Sequence, residues 1–179
     1  MLELKPFAET DFTKLFKVES QVYVTSPDEV ILEYFLLGPT RHLHFPPQHE
    51  DADGEVLRRD ELWKTTCLEA FFSFDQSADS PYLEVNCSPN GDWNAYSFTS
   101  YRQGMKSDGT ASVNLIHRSL ESDQAIFRVK IQSPALRQFK KLGITAVIEF
   151  SDGSKSYFAL SHPAAQADFH NKAAFSYSL

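Results

Sequence analysis

Residues 63–102 gather flat aromatic faces and planar polar groups: Trp63, Glu69, Glu84, Asn86, Trp93, Tyr96, Tyr101 and Arg102. Saccharide recognition draws on both kinds. An aromatic ring stacks on the apolar face of a pyranose, while carboxylates, amides and guanidinium bond its hydroxyls in pairs. The competing account is architectural, with both tryptophans in a core and the carboxylates on a solvated strand face.

Other chemistries find less to work with. Glu69 and Glu84 could form a glycosidase pair if adjacent strands bring them together, but glycosidase carboxylates need deep clefts, which a chain of 179 residues has little material to build. We therefore expect no catalytic residue. His42, His44 and His49 include a His-x-His pair, which on a strand puts both rings on one side, but no cysteine partner lies nearby and a third ligand is unassigned. Asp51, Asp53 and Glu55 open like a calcium loop and then lack its ligand spacing and its closing bidentate glutamate. Cys67 and Cys87 fall within strands and read as structural cysteines, Cys87 core-facing and Cys67 on the Glu69 side. No Gly-x-Ser-x-Gly, Walker or dinucleotide fingerprint occurs, and neither a metal nor a cofactor is expected.

The elements that must position these residues are strands. With 15 Phe among 13% aromatic residues, the composition suits pleated, half-buried surfaces. Strand signals fall at 1–5, 18–25, 29–37, 66–74, 82–87, 94–101, 112–118, 125–132, 144–150 and 155–160. Ser151-Asp152-Gly153 marks a hairpin, and Ser122-Asp123-Gln124 the tip of another. Only 134–142, opened by Pro134 and closed by Gly143, has helical spacing, for one or two turns. The expectation is an all-β protein, an antiparallel β-sandwich of immunoglobulin-like or jelly-roll form over a single domain, 1–179, with at most one or two short helices. A closed barrel is the competing arrangement. The polar segment 46–60 reads as a loop or lid.

Alternation sorts the faces. Leu68, Ala70 and Phe72 oppose Cys67, Glu69, Phe71 and Ser73; Leu83, Val85 and Cys87 oppose Tyr82, Glu84 and Asn86. If these two strands pair, Glu69, Glu84 and Asn86 share one face. In 94–102, Asn94, Tyr96, Phe98 and Arg102 oppose Trp93, Ala95 and Tyr101, and the alternation leaves open which side adjoins Glu69. In the tail, Asp168 and His170 read as a local pair pinning the terminus, with a site at the rim as the alternative. The net charge of -7 argues against a nucleic-acid surface. No apolar run approaches membrane-spanning length, and the first residues lack a leader pattern, so the expected compartment is cytoplasmic.

DELWKTTCLEAFF, YLEVNCSPNGDWNAYSFTSYRQGM and the closing YFALSHP with ADFH together resemble the DOMON-like proteins, in particular a bacterial subgroup related to the family 9 carbohydrate-binding modules. The resemblance spans about residues 60 to 170. It implies a β-sandwich whose ligands are sugars or haem. In the sugar-binding modules a tryptophan precedes a strand bearing an acid, which Trp63 and Glu69 match. The next strand supplies polar ligands, matched by Glu84 and Asn86, with Trp93 a candidate second wall. Glu84 departs from the family, which tends to carry a basic group there. Haem-binding relatives use methionine and histidine, and here only Met105 with His117 or His162 could serve. The resulting expectation is a non-catalytic binder of a small polar ligand, a saccharide or sugar derivative, with neither nucleic-acid nor membrane partner. Trp63 and Trp93 stack, Glu69, Glu84 and Asn86 bond, and Tyr96, Tyr101 and Arg102 complete the rim. A haem binder or a small sugar-processing enzyme using Glu69 and Glu84 are the alternatives.

Overall fold

The computed structural model describes residues 1–49 and 56–179. The chain opens with β1 (Leu2–Pro6), β2 (Lys17–Ser26), β3 (Glu29–Leu37) and the short β4 (Leu43–His44). The middle holds β5 (Cys67–Ser73), β6 (Tyr82–Cys87), β7 (Trp93–Phe98) and β8 (Lys106–Ser107). Then follow β9 (Ser112–Leu120), β10 (Gln124–Gln132), β11 (Lys141–Phe150), β12 (Lys155–Ala159) and β13 (Tyr177–Ser178). Helical structure among the described residues is confined to five short 3-10 turns.

The strands form one curled antiparallel sheet, a half-barrel, in the order β8-β7-β6-β5-β11-β12-β1-β2-β3-β10-β9, with β4 and β13 also pairing β11. The curl returns β9 over the core to pack against β6 and β7. Its inner face closes on one apolar cluster, to which β3 gives Leu32 and Tyr34, β5 Leu68 and Phe72, β10 Phe127 and Val129, and β11 Ile144 and Ile148. Of these, Leu68 and Phe72 lie on the side that alternation set opposite Glu69, because strand period 2 sends every second side chain to one face. Both expected hairpins form: β11 pairs β12 across 151–154, and β9 pairs β10 with a bulge at Arg128/Val129.

Three expectations need correction. The helical stretch ends at Gln138, because Pro134 and the Ser133 side chain, which accepts from the Ala135 N–H, start a 3-10 turn, but β11 takes the chain from Lys141. Gly143 thus lies inside a strand, where the Phe175 ring sits so close that a Cβ would lie 2.6 Å from it. The strand at 94–101 stops at Phe98, leaving Tyr101 and Arg102 in a turn bridged by Ser100 and Gln103. His42 belongs to a 3-10 turn and only His44 to a strand, so the two rings are not alternate members of one strand.

Every residue of β5 and β6 is buried, although each has one face turned away from the core. A strand buried on both faces needs a second layer over it. Here the layer is the 62–64 turn and the C-terminal tail, which bring Trp63, Phe169 and Phe175 onto Phe71, Tyr82, Tyr96 and Phe98. Lys172 fastens the tail. The residue is 3% exposed, and its ammonium donates to the carbonyls of Ser77 and Ser80 and to Ser80 Oγ and lies over the Tyr82 ring. All three of its protons are thereby used.

The seat of Phe175 on Gly143 is testable. Alanine normally stabilises a strand position relative to glycine, but Gly143→Ala should instead cost about 1–3 kcal/mol in urea unfolding, since overpacking must displace the ring and the tail behind it. A neutral or stabilising result would mean that the tail is not seated there.

Candidate functional site

Strand pairing builds the site in rows. On the face away from the core, Glu69 of β5 registers with Asn86 of β6 and Thr145 of β11, and Asn86 with Asn94 of β7. The next row runs from Gly143 through Phe71 and Glu84 to Tyr96, and the next from Ser73 through Tyr82 to Phe98. This register settles the question that alternation left open: Asn94, Tyr96 and Phe98 adjoin the Glu69 face.

Between this face and the tail lies a cavity of about 350 Å³. Its polar lining includes Glu69, Glu84, Arg102 and His170, and its aromatic lining Trp63, Phe71, Phe98, Tyr157 and Phe169. Glycine at position 143 leaves room for Phe175, which packs against Phe71 and so props the tail over the site. Tyr82 and Phe98, opposite each other on β6 and β7, stack at 4.5 Å, and Phe98 lines the cavity.

The two carboxylates are 3% and 5% exposed. Glu69 Oε2 accepts a long hydrogen bond from the Thr145 hydroxyl, 3.4 Å, whereas Oε1 has no partner among the described residues. Burial, then the neighbouring Glu84 carboxylate, push Glu69 well above the usual carboxylate range. Glu84 Oε1 accepts from the Asn86 amide at 2.7 Å, and burial lifts Glu84 to about 7 against the opposing effects of that bond and of Arg102.

His170 closes the site from the tail. The Tyr82 hydroxyl accepts the backbone N–H of Arg102 and, at 2.7 Å from His170 Nδ1, directs its own proton there. The ring proton is thereby assigned to Nε2, which lies 3.8 Å from Glu84 Oε2. Burial and then the Arg102 charge bring His170 down to about 4, so this contact is made by a neutral ring and is not an ion pair at neutral pH. Arg102 donates to Asp168 Oδ1 at 2.8 Å, and Tyr101 to Asp168 Oδ2 at 2.6 Å.

Among the described residues, the non-glycine positions with positive φ are Glu61, at 63°, and Arg102, at 54°. One immediately precedes the turn that carries Trp63, and the other carries the guanidinium at the cavity. Left-handed backbone costs a residue with a Cβ roughly 1–2 kcal/mol, and such strain clusters where side chains are held for a purpose.

The eight residues singled out in the sequence divide. Trp63, Glu69, Glu84 and Arg102 line the cavity. Asn86, fully buried, acts on it through Glu84. Tyr96 braces Trp63 edge-on at 6.0 Å and donates to Asp60, while Tyr101 holds Asp168. Trp93 is a correction: it packs against the core cluster on the opposite face, with Arg58 over its ring at 4.6 Å. It registers with core-facing Cys87, and period 2 then denies it the Glu69 side. The tail covers the face of Glu84 and Asn86, which the competing account had placed in solvent.

No described residue of 46–60 lines the cavity, and residues 57–60 are tied to β7 and to Asp92 just before it: Leu57 and Arg59 to Asp92, Arg58 to Asn94, and Asp60 to Tyr96. The residues expected to resemble a calcium loop, Asp51, Asp53 and Glu55, lie outside the described residues. His42 packs on Phe12, His44 faces Glu149 and His49 bonds Asp92, so the three histidines point to separate partners. Met105 lines the cavity, but neither His117 nor His162 does. His162 instead bonds the Lys5 carbonyl.

His170, Phe169 and Tyr157 are cavity residues that the sequence did not single out for the site. The Asp168–His170 spacing was the available signal, and it read as a local pair. In the fold, Asp168 does accept the His170 backbone N–H, while both side chains turn to the 82–102 region.

The comparisons bear on the fold. No family model matches the sequence, and no curated protein does. A crystal structure of a "putative carbohydrate-binding protein" from Bacteroides uniformis superposes with a TM-score of 0.61 over 97% of this chain and 84% of that one, at 12% identity. At that identity the likeness shows the fold alone. The yeast GGA1 GAE domain, at a TM-score of 0.36 and 8% identity, carries no argument.

The two buried groups have opposite pH signatures. The folded protein holds the Glu84 proton more tightly than the unfolded chain, so this stabilisation is complete below about 4.5 and lost as pH rises through about 7. His170 stabilises above about 6.5 and loses that contribution as pH falls through about 4. Glu84→Gln should therefore match wild type in acid and become more stable by about 3 kcal/mol above pH 7 in urea unfolding. A pH-independent difference would show that Glu84 is not held out of water.

Proposed function

We propose that the protein is a non-catalytic binder of a small polar ligand, a saccharide or sugar derivative, held in the cavity between β5–β7 and the tail. The observation that carries this is Glu69: a buried carboxylate whose Oε1 has no partner among the described residues, on a cavity wall that also presents five aromatic side chains, Trp63, Phe71, Phe98, Tyr157 and Phe169. A buried acceptor without a partner costs about 1–3 kcal/mol, and a ligand hydroxyl would remove that cost.

In this reading Trp63 stacks on the ring of the sugar. Glu69, Glu84, Arg102 and the Nε2–H of His170 bond its hydroxyls, and Asn86 and Tyr96 hold Glu84 and Trp63 in place. The cavity volume lies within the range of small-molecule sites, at the end suited to one sugar ring. Support also comes from the fold likeness, whose partner is named for carbohydrate binding, and from the resemblance of 60–170 to DOMON-like proteins. We take the half-barrel as a single domain of that β-sandwich type, jelly-roll or immunoglobulin-like in connection.

A thermal-shift panel of mono- and disaccharides tests the assignment. At least one sugar should raise the unfolding midpoint, and Trp63→Ala should weaken it about 3- to 10-fold, the worth of one aromatic contact. A panel without any shift, or a Trp63→Ala variant that binds as well as wild type, overturns it. Turnover of a chromogenic glycoside, lost in Glu69→Gln and Glu84→Gln, would move the protein to glycoside chemistry instead.

A further inference from the structure

Two carboxylates share this cavity, and each keeps an oxygen without a conventional hydrogen bond from the described residues. Glu69 Oε1 has no partner, and Glu84 Oε2 sees only His170 Nε2, at 3.8 Å. The cation beside them, Arg102, is committed to Asp168 at 2.8 Å. Trp63, Phe71, Phe98, Tyr157 and Phe169 add aromatic rings to the wall, beside the apolar Met105, Val147 and Ala167. Neutral hydroxyls satisfy such acceptors but leave the cost of burying their charge. A cation offsets that cost and gains from the ring faces as well.

We propose that the ligand is an amino saccharide, its protonated amine seated between Glu69 and Glu84 and facing the aromatic rings. This rests on the saccharide reading of the same cavity and narrows it. The amine donates three hydrogen bonds where a hydroxyl donates one, and the unpartnered oxygens of Glu69 and Glu84 are the acceptors it would take. Burial holds both carboxyls protonated more readily than usual, so seating a cation expels protons. The other titratable or charged groups facing the pair include Arg102 with Asp168, His170, Tyr157, Tyr82, Cys67 and Tyr96 with Asp60. Burial keeps the Tyr82, Tyr96 and Cys67 protons in place and His170 neutral, which leaves the two glutamates to respond.

The test is calorimetric titration of the protein just below neutral pH with D-glucosamine, N-acetyl-D-glucosamine and D-glucose, alongside tetramethylammonium. Glucosamine should bind at least tenfold tighter than either neutral sugar, with net proton release in buffers of differing ionisation enthalpy. Its affinity should rise by up to about tenfold per pH unit as pH approaches 7 from below, the slope of one released proton. Glu69→Gln and Glu84→Gln keep the side-chain shape and remove the charge, and should abolish the preference for glucosamine over glucose. Glucose or N-acetylglucosamine binding as tightly as glucosamine, without proton release, overturns the inference and leaves saccharide binding intact. Tetramethylammonium binding without any sugar overturns the saccharide reading and this inference with it, as does the absence of binding throughout. The native-protein comparison decides the matter even if a glutamine variant fails to fold.

Discussion

The site depends on Glu69 and Glu84 being held out of water on strands with no bulk solvent on either face. One face of β5 and β6 lies on the core, and the other lies under Trp63 and the C-terminal tail. Acids on an ordinary half-exposed sheet would be hydrated and would titrate as usual. Here the roof removes their water, raises their affinity for protons and leaves Glu69 Oε1 without a partner among the described residues. The roof turns a polar strand face into the wall of a cavity.

Several devices hold that roof. Lys172 is sunk into the 75–81 loop, whose carbonyls accept its protons, and the Tyr82 ring lies beneath it. Gly143 gives Phe175 a seat that any larger residue would occupy. Asp168 takes hydrogen bonds from both Tyr101 and Arg102, so the tail is tied to the turn after β7. The tail is thus a structural layer of the protein as well as the wall that brings in His170.

The cavity face divides its labour between side chains that present chemistry and side chains that aim it. Asn86 occupies one oxygen of Glu84 and turns the other toward the cavity. Tyr82 fixes the tautomer of His170, and Tyr96 braces Trp63. Left-handed backbone at Glu61 and Arg102 marks the two turns that deliver the indole and the guanidinium. Pre-set geometry of this kind lowers the ordering cost that a ligand must overcome.

Alternation along the sequence sorted Glu69 from Leu68, and Glu84 and Asn86 from Leu83 and Val85, because a period of 2 is a local property of extended chain; that the three polar groups share one face waited on the pairing of β5 with β6. It also separated Trp93 from Tyr96 onto opposite faces, though it could not say which face was which. Register alone decided that, since strand pairing joins residues distant in sequence and places Tyr96 opposite Glu84. Burial was equally illegible: Glu84 and Asn86 look like solvated positions until residues more than 80 further along the chain fold back over them. His170 gave the weakest signal of all, because its role comes from Tyr82 and Glu84 and not from its neighbours in sequence. A single chain spells out what each residue can bond, while only the long-range contacts decide which bonds are left for a ligand.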